Sequence, residues 1–412
     1  MQKYYFLFEV QNKKLKFDFV EDTFVRKNQN NLAFCSLIRI FAHMNENMQV
    51  KKPRLEWLDA LRGFTMIMVV AYHVTQGFGE TWKTSETMPF LALYRMPLFF
   101  FVSGFLAYKA SQVWSLRNLG SLVVKKLRVQ LVPTIVFFLF AMAVLNPNFW
   151  KAVSEALESQ YKGGYWFTIA LLYMFLIYYP FAYIENKLTS RLSPQALKWF
   201  GWMPIALLFI VSLFFYESCY LPRHFYWAFG YKRAHPMWLW ESSFIQVLQY
   251  FPFFLYGNIV HRYWDKAQRI MDSRWFYPIM MVVLVFSAFD ALKWHTMRME
   301  WANLPLSVAK FLLLTMVMMY FRHFKEYFTK YTMIGTCLQY IGRRTLDIYL
   351  IHFLFLPHLP EVGEFFQTHP HSFIIDVTLA IFLGMLIIGF SIITSNILRV
   401  SPLLKKWLFG RS

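Results

Sequence analysis

Long apolar segments recur along most of the chain, separated by short polar stretches. Segments near twenty apolar residues are long enough to cross a bilayer as helices. Ten predicted spans cover residues 60–78, 88–108, 129–146, 164–184, 200–217, 239–260, 275–292, 302–321, 343–359 and 373–397. Because lipid requires each spanning segment to satisfy its own backbone hydrogen bonds, the pattern predicts an all-α, polytopic membrane protein.

The composition agrees with a membrane setting. Of the 412 residues, 57% are hydrophobic and 16% are charged, and the mean hydropathy is +0.36. Soluble proteins carry about 25% charged residues. The net charge of +19 would suit either nucleic acid or anionic lipid as a partner, so the positions of the charges have to decide.

Positive charges are unevenly distributed between the two sides of the predicted spans. With the N-terminus inside, the inner segments hold 25 Lys and Arg residues and the outer loops hold 8. This positive-inside bias predicts that both termini are cytoplasmic. No basic domain stands apart from the spans, so the expected partner is membrane lipid and no nucleic acid. An apolar helix face can contact lipid or a second copy of the chain, so a homo-oligomer remains an alternative.

The first 50 residues do not match the rest, because they mix Lys, Asn and Phe and lack the pattern of a signal peptide. We predict an N-terminal extension (1–50) before a membrane domain (51–410). The extension is interpreted as a disordered tail or an over-long gene model that truly starts at Met44 or Met48; the alternative is a peripheral amphipathic helix around 32–44.

Metal chemistry is not indicated. Cys35, Cys219 and Cys337 lie in different regions, and neither a Cys-x-x-Cys nor a His-x-x-x-His spacing occurs. We therefore predict neither a metal site nor a disulfide framework.

The first predicted span carries two ionisable side chains in phase. Arg62 and His73 are eleven residues apart, so they share one face of a helix, roughly 16 Å apart along its axis. Ionisable groups at membrane depth usually face a protein interior or a wet cavity. The spacing predicts a guanidinium at the mouth of a passage and an imidazole deep inside it.

Four segments carry a family resemblance. They are Trp57–Gly63 continuing to His73, Arg95–Phe105, Tyr165–Phe167 with Tyr250–Gly257, and Ile341–His352. In order and spacing they resemble the acyltransferase-3 family of integral-membrane O-acyltransferases, over about residues 52–410. That resemblance implies transfer of an acyl group, most often acetyl, from cytoplasmic acyl-CoA to a hydroxyl of a cell-surface or secreted glycan or its lipid-linked precursor. The enzyme would be a multipass protein of the cytoplasmic (inner) membrane.

A polyanionic acyl-CoA requires cationic groups at the inner mouth, and Arg–phosphate contacts are strong. Arg62 lies there, with Lys125, Lys126 and Arg128 as candidate neighbours. The competing interpretation of Arg62 is an interfacial anchor.

The catalytic candidates are His73, Arg95, His352 and Glu241. His73 can act as a general base on a sugar hydroxyl or form a covalent acyl-histidine, and we favour the base. Its alternative role is a polar residue that packs two helices. Arg95, at about the depth of His73, can stabilise the oxyanion, orient the acceptor, or pair with a carboxylate such as Glu241 or Asp376.

The other two candidates also have structural alternatives. The resemblance makes His352 a site residue, whereas its alternative is a helix-packing hydrogen bond. Glu241 can orient or charge-balance His73, or remain an exposed interfacial carboxylate. Lys310 and Asp347 also lie inside predicted spans, where a buried pair between them competes with a catalytic part.

A secondary transporter or glycan exporter is the alternative function, because ten helices with intramembrane charges fit that class too. Transporters often have two matching halves with broken helices. No internal repeat is visible here, since the Arg-to-His phase of the first span has no counterpart in the sixth.

Overall fold

The computed structural model describes residues 55–80, 85–220, 237–297, 303–369 and 372–409. Both predictions for the first 50 residues, the extension and the helix around 32–44, lie outside this part of the chain. Within it the regular secondary structure is helical, and no strand is found. The all-α prediction is confirmed to that extent.

The α-helices of the described residues are numbered in chain order. They are α1 (Glu56–Gly77), α2 (Thr87–Ala107), α3 (Leu116–Lys126), α4 (Val132–Leu145), α5 (Phe149–Glu158), α6 (Trp166–Thr189), α7 (Pro194–Phe200), α8 (Met203–Tyr220), α9 (Met237–Glu241), α10 (Phe244–Arg262), α11 (Trp264–Met271), α12 (Phe276–Met297), α13 (Asn303–His323), α14 (Met333–Arg343), α15 (Thr345–Ile351), α16 (Pro360–Thr368), α17 (Phe373–Leu398) and α18 (Pro402–Phe409). A π-helical segment, Leu127–Leu131, joins α3 to α4, and a 3-10 turn, His352–Phe355, follows α15.

Six helical segments of the described residues are long and apolar enough to cross a membrane, or seven if the bent pair α11–α12, inclined at 83°, forms one span. The chain is therefore a multipass membrane protein. Helix α1 is not among the six, and it carries charged and polar residues that include Asp59, Arg62, His73 and Gln76. The predicted number of ten and the orientation of the termini remain predictions.

The ninth predicted span differs from expectation. Residues 343–359 do not form one continuous helix: α14 ends at Arg343, α15 covers only Thr345–Ile351, and the 3-10 turn follows. The α-helix is interrupted at Arg344 and ends at Ile351, and residues of this stretch are largely buried. Irregular backbone is tolerated inside a protein because neighbouring groups can satisfy it. His352 lies at the start of that turn.

Helix α1 occupies the centre of the helical bundle. It packs against α2, α14 and α17, and α2 packs in turn against α10. Fifteen of the 22 residues of α1 are buried, so the helix that carries Arg62 and His73 is enclosed mainly by protein.

Glycines allow the closest of these helix pairs to approach at backbone distance. A Cβ atom at Gly104 of α2 would collide with the carbonyl oxygen of Phe254 of α10, and one at Gly257 of α10 would collide with that of Phe101. Where α1 crosses α14, a Cβ atom at Gly63 or at Gly342 would likewise collide with a backbone carbonyl oxygen of the other helix. Small residues at such crossings are typical of membrane helix packing, which depends on close van der Waals contact.

We expect Gly104→Ala to lower the stability of the protein by about 1–3 kcal/mol, because overpacking forces a shift of the backbone. The midpoint of thermal unfolding in detergent would measure the loss. Gly389→Ala in α17 is the matched control, since its Cβ would meet nothing within 4 Å. Equal midpoints for the two variants would contradict the proposed role of this crossing.

Buried ion pairs connect other helices. Two guanidinium nitrogens of Arg262 donate to the Glu185 carboxylate at 2.5 and 2.8 Å. Asp347 accepts from Arg399 at 2.5 Å and from Ser395 at 2.9 Å. The pairing of Lys310 with Asp347 is therefore wrong: Asp347 joins α15 to the C-terminal end of α17, and Lys310 has Glu217 as its electrostatic partner.

Candidate active site

His73 lies one turn before the end of α1, with its side chain partly exposed. Its Nδ1 lies 2.7 Å from Oε1 of Gln76. Because an amide oxygen only accepts hydrogen bonds, this contact places the imidazole proton on Nδ1 and the lone pair on Nε2. The arrangement suits a general base whose ring is held by a neighbour and whose Nε2 carries the lone pair.

His352 is fully buried beside His73, with ring centroids 5.3 Å apart. Its Nδ1 lies 2.8 Å from the carbonyl oxygen of Tyr349 and 3.1 Å from that of Ile348. A carbonyl partner requires that Nδ1 carry the proton, so Nε2 is the basic atom. Within the described part of the chain, no group makes a hydrogen bond to this buried Nε2. Buried polar atoms usually have a hydrogen-bond partner.

Arg95 of α2 is buried and stacks on the ring of Tyr72, with 3.4 Å between the guanidinium carbon and the ring centroid. Tyr72 directly precedes His73, and Arg95 lies within electrostatic range of the His73 ring. No group in the described segments makes a hydrogen bond with the Nε of Arg95. The structure thus brings Arg95, His73 and His352 together at one place in the bundle.

Tyrosines, rather than carboxylates, surround the guanidinium of Arg95. Besides Tyr72, the phenol groups of Tyr250 and Tyr349 lie within its electrostatic range. Among the described residues, the expected pairing of Arg95 with Glu241 or Asp376 is not found. An aromatic face attracts a cation through its quadrupole without neutralising its charge.

The turn before α6 forms one wall of this site. Tyr165 donates to the carbonyl oxygen of Leu350 at 3.0 Å, and the N–H of Phe167 donates to the hydroxyl of Tyr349 at 3.2 Å. The Phe353 ring, 5.2 Å from that of His73, packs against Gly164, whose φ of +98° and crowded position both require glycine. The aromatic segment Tyr165–Phe167 therefore fixes the position of the interrupted ninth predicted span, residues 343–359.

Three of the four predicted donor-binding residues, Arg62, Lys125 and Lys126, lie close together near the opposite end of α1. Arg62 donates to Oγ1 of Thr345 at 3.0 Å and lies 3.6 Å from the carboxylate of Asp59. Lys126 lies over the ring of Phe175 at 3.4 Å, within electrostatic range of Lys125 and Arg62. Arg128 is exposed on the π-helical segment.

Glu241 lies at the end of the short helix α9, and its side chain is exposed. Its backbone carbonyl accepts a hydrogen bond from Lys162, whose backbone is in the left-handed region with φ of +48°. Among the described residues the hydrogen bond of His73 goes to Gln76, and no contact joins His73 to Glu241. The geometry favours the interfacial alternative for this carboxylate.

Sequence reasoning missed several contributors. Gln76 had a detectable signal, because a residue three positions after His73 lies on the same helix face. No such signal in the sequence marked Tyr72, Tyr349 and Phe353, since their part in the site depends on contacts between helices far apart in sequence. Lys109 was also missed, although it lies within electrostatic range of Lys126.

Comparison with known proteins gives one match. A family model described as an acyltransferase domain matches residues 55–397. No curated protein and no solved structure matches the chain.

Proposed function

Because the chain belongs to this acyltransferase family over residues 55–397, and so is a membrane acyltransferase, we propose that it moves an acyl group, most often acetyl, from cytoplasmic acyl-CoA to a hydroxyl of a cell-surface or secreted glycan or its lipid-linked precursor. It acts as an O-acyltransferase of the cytoplasmic (inner) membrane, with both termini in the cytoplasm. Membrane lipid, the glycan and acyl-CoA are its partners.

The observation that supports this function best is the grouping of His73, His352 and Arg95 beside one end of α1. His73 Nε2 removes the proton of the acceptor hydroxyl, whose oxygen attacks the carbonyl carbon of the thioester. Arg95 stabilises the negative charge that develops on the carbonyl oxygen, as a preorganised donor can. The carbon–sulfur bond then breaks, the coenzyme thiolate leaves, and it takes up the proton held by the imidazolium.

The two histidines have different accessibility, which separates their roles. His73 is partly exposed, so an acceptor hydroxyl can reach it, whereas His352 is fully buried. His352 therefore acts behind His73 as a positioning residue, with its ring fixed by two backbone carbonyls.

The distance along α1 supports an extended donor. Arg62 and His73 lie roughly 16 Å apart along the helix axis, a span comparable to a pantetheine arm. The cationic group of Arg62, Lys125, Lys126 and Arg128 binds the phosphates at one end, so the thioester reaches the histidines at the other.

A deletion strain tests this function directly. Mass spectrometry of its surface glycans is expected to show the loss of one acyl mass, and expression of the intact chain should restore it. Unchanged glycans in the deletion strain would contradict the proposal.

We expect Arg62→Ala to raise the KM for acyl-CoA about tenfold or more with a smaller change in kcat, because a charge-assisted phosphate contact is lost. Initial rates at varied acyl-CoA measure it. Arg62→Lys retains the charge and should be milder, and Arg274→Ala, an exposed arginine, should match the wild type. An unchanged KM in Arg62→Ala would exclude the phosphate contact.

A further inference from the structure

A cavity that none of the catalytic candidates lines is formed by the ends of α2, α6, α7 and α10 and the segment after α2. Its volume is about 200 Å³, and its lining includes Tyr108, Lys109, Gln112, Trp114 and Asn186. Pockets for drug-sized ligands occupy about 300–1,000 Å³. This cavity therefore suits a fragment the size of a nucleobase rather than a whole coenzyme.

The floor of the cavity is polar but electrically balanced. Glu185 and Arg262 both line it, and their bidentate pair neutralises the two charges. Arg262 also lies over the ring of Tyr108, with 5.1 Å from its guanidinium carbon to the ring centroid. Because this ion pair is neutral overall and aromatic rings line the cavity, its occupant is expected to be uncharged and planar.

One residue that lines the cavity lies close to the predicted donor-binding residues. Lys109 lines the cavity and lies within electrostatic range of Lys126, which in turn lies within range of Arg62. Positive charges therefore extend from the cavity lining to Arg62 near the N-terminal end of α1. A ligand with a neutral head in the cavity and phosphates along these charges would match both features.

We propose that the Tyr108–Trp114 cavity binds the adenine ring of the acyl donor. This inference rests on the proposed function, because it names where the nucleotide end of that donor lies. The ring stacks on Tyr108 or Trp114, as bases do on aromatic side chains. Side-chain amides such as those of Gln112 and Asn186 pair well with the edge of adenine. Lys109 and Lys126 take the phosphates, and the pantetheine arm continues past Arg62.

The test uses adenosine 3′,5′-bisphosphate, which carries the nucleotide end of coenzyme A without pantetheine or an acyl group. Equilibrium binding to the purified full chain in nanodiscs is expected to be detectable. Trp114→Ala should weaken it about tenfold, the size of effect that loss of one stacked base produces. Trp199→Ala is the matched control: Trp199 is exposed on α7, and it does not line the cavity.

A second measurement separates this inference from the proposed function. Acetyl-pantetheine lacks the nucleotide, so Trp114→Ala should use it as well as the wild type does, while its KM for acetyl-CoA rises. Equal affinity of Trp114→Ala and the wild type for the bisphosphate would overturn the adenine site, and so would equally tight binding of the guanosine analogue or displacement by glycerol phosphate. Loss of acetyl-pantetheine use would also overturn it, because the tryptophan would then be structural. None of these outcomes depends on which glycan is acylated.

Discussion

His73→Ala is expected to abolish acylation of the glycan while the protein still inserts and folds. The imidazole is the group placed to remove the hydroxyl proton, and its loss leaves the attacking oxygen protonated. General base catalysis contributes about 10²–10⁴-fold to a rate, so residual transfer should fall to the detection limit. Acyl content of surface glycans, measured by mass spectrometry in a complemented deletion strain, gives the readout.

Two variants control for nonspecific effects. Gln76→Ala removes the side chain that holds Nδ1 of His73 and should lower kcat only partly, because the base itself remains. His323→Ala changes an exposed histidine at the end of α13 and should leave acylation unchanged. Wild-type acylation by His73→Ala would exclude the assigned role.

Arg95→Ala should lower kcat by about 10²–10³-fold, the effect of removing one donor to a developing oxyanion. The guanidinium is buried against tyrosines, so its charge is available to an anion that forms during the reaction. Single-turnover rates with acyl-CoA and a glycan acceptor would measure the loss, and the KM for acyl-CoA should change little.

Tyr72 provides the comparison for Arg95. Tyr72→Phe keeps the ring under the guanidinium and should retain most activity, whereas Tyr72→Ala removes the stacking surface and should lower kcat. If Arg95→Ala keeps full kcat and loses only thermal stability, the arginine is structural.

The apolar pattern predicted the all-α class and the multipass character, because each spanning segment must satisfy its own backbone hydrogen bonds. It failed at residues 343–359, since a buried stretch remains apolar whether its backbone is straight or broken. The composition around Ile348–Phe355 gives no sign of the turn, which depends on hydrogen bonds from the distant Tyr165 and Phe167.

Part of the candidate site was predictable for a geometric reason. The spacing of Arg62 and His73 fixes their relation on one helix, and the resemblance added Arg95 and His352 to the same group. The stacking of Arg95 on Tyr72 was not predictable, because it depends on how α1 and α2 rotate against each other. Helix rotation also decides whether Glu241 can reach His73. The sequence suggested that pairing, and the described structure contains no such contact.

The glycine crossings of α1 with α14 and of α2 with α10 limit where a molecule can enter the helical bundle from the bilayer. Helices in backbone contact leave no gap wide enough for an acyl chain or a sugar to slip between them. A lipid-linked acceptor that approaches from the bilayer must therefore enter between other helices. Bulky photo-crosslinking lipids should label residues away from these two crossings.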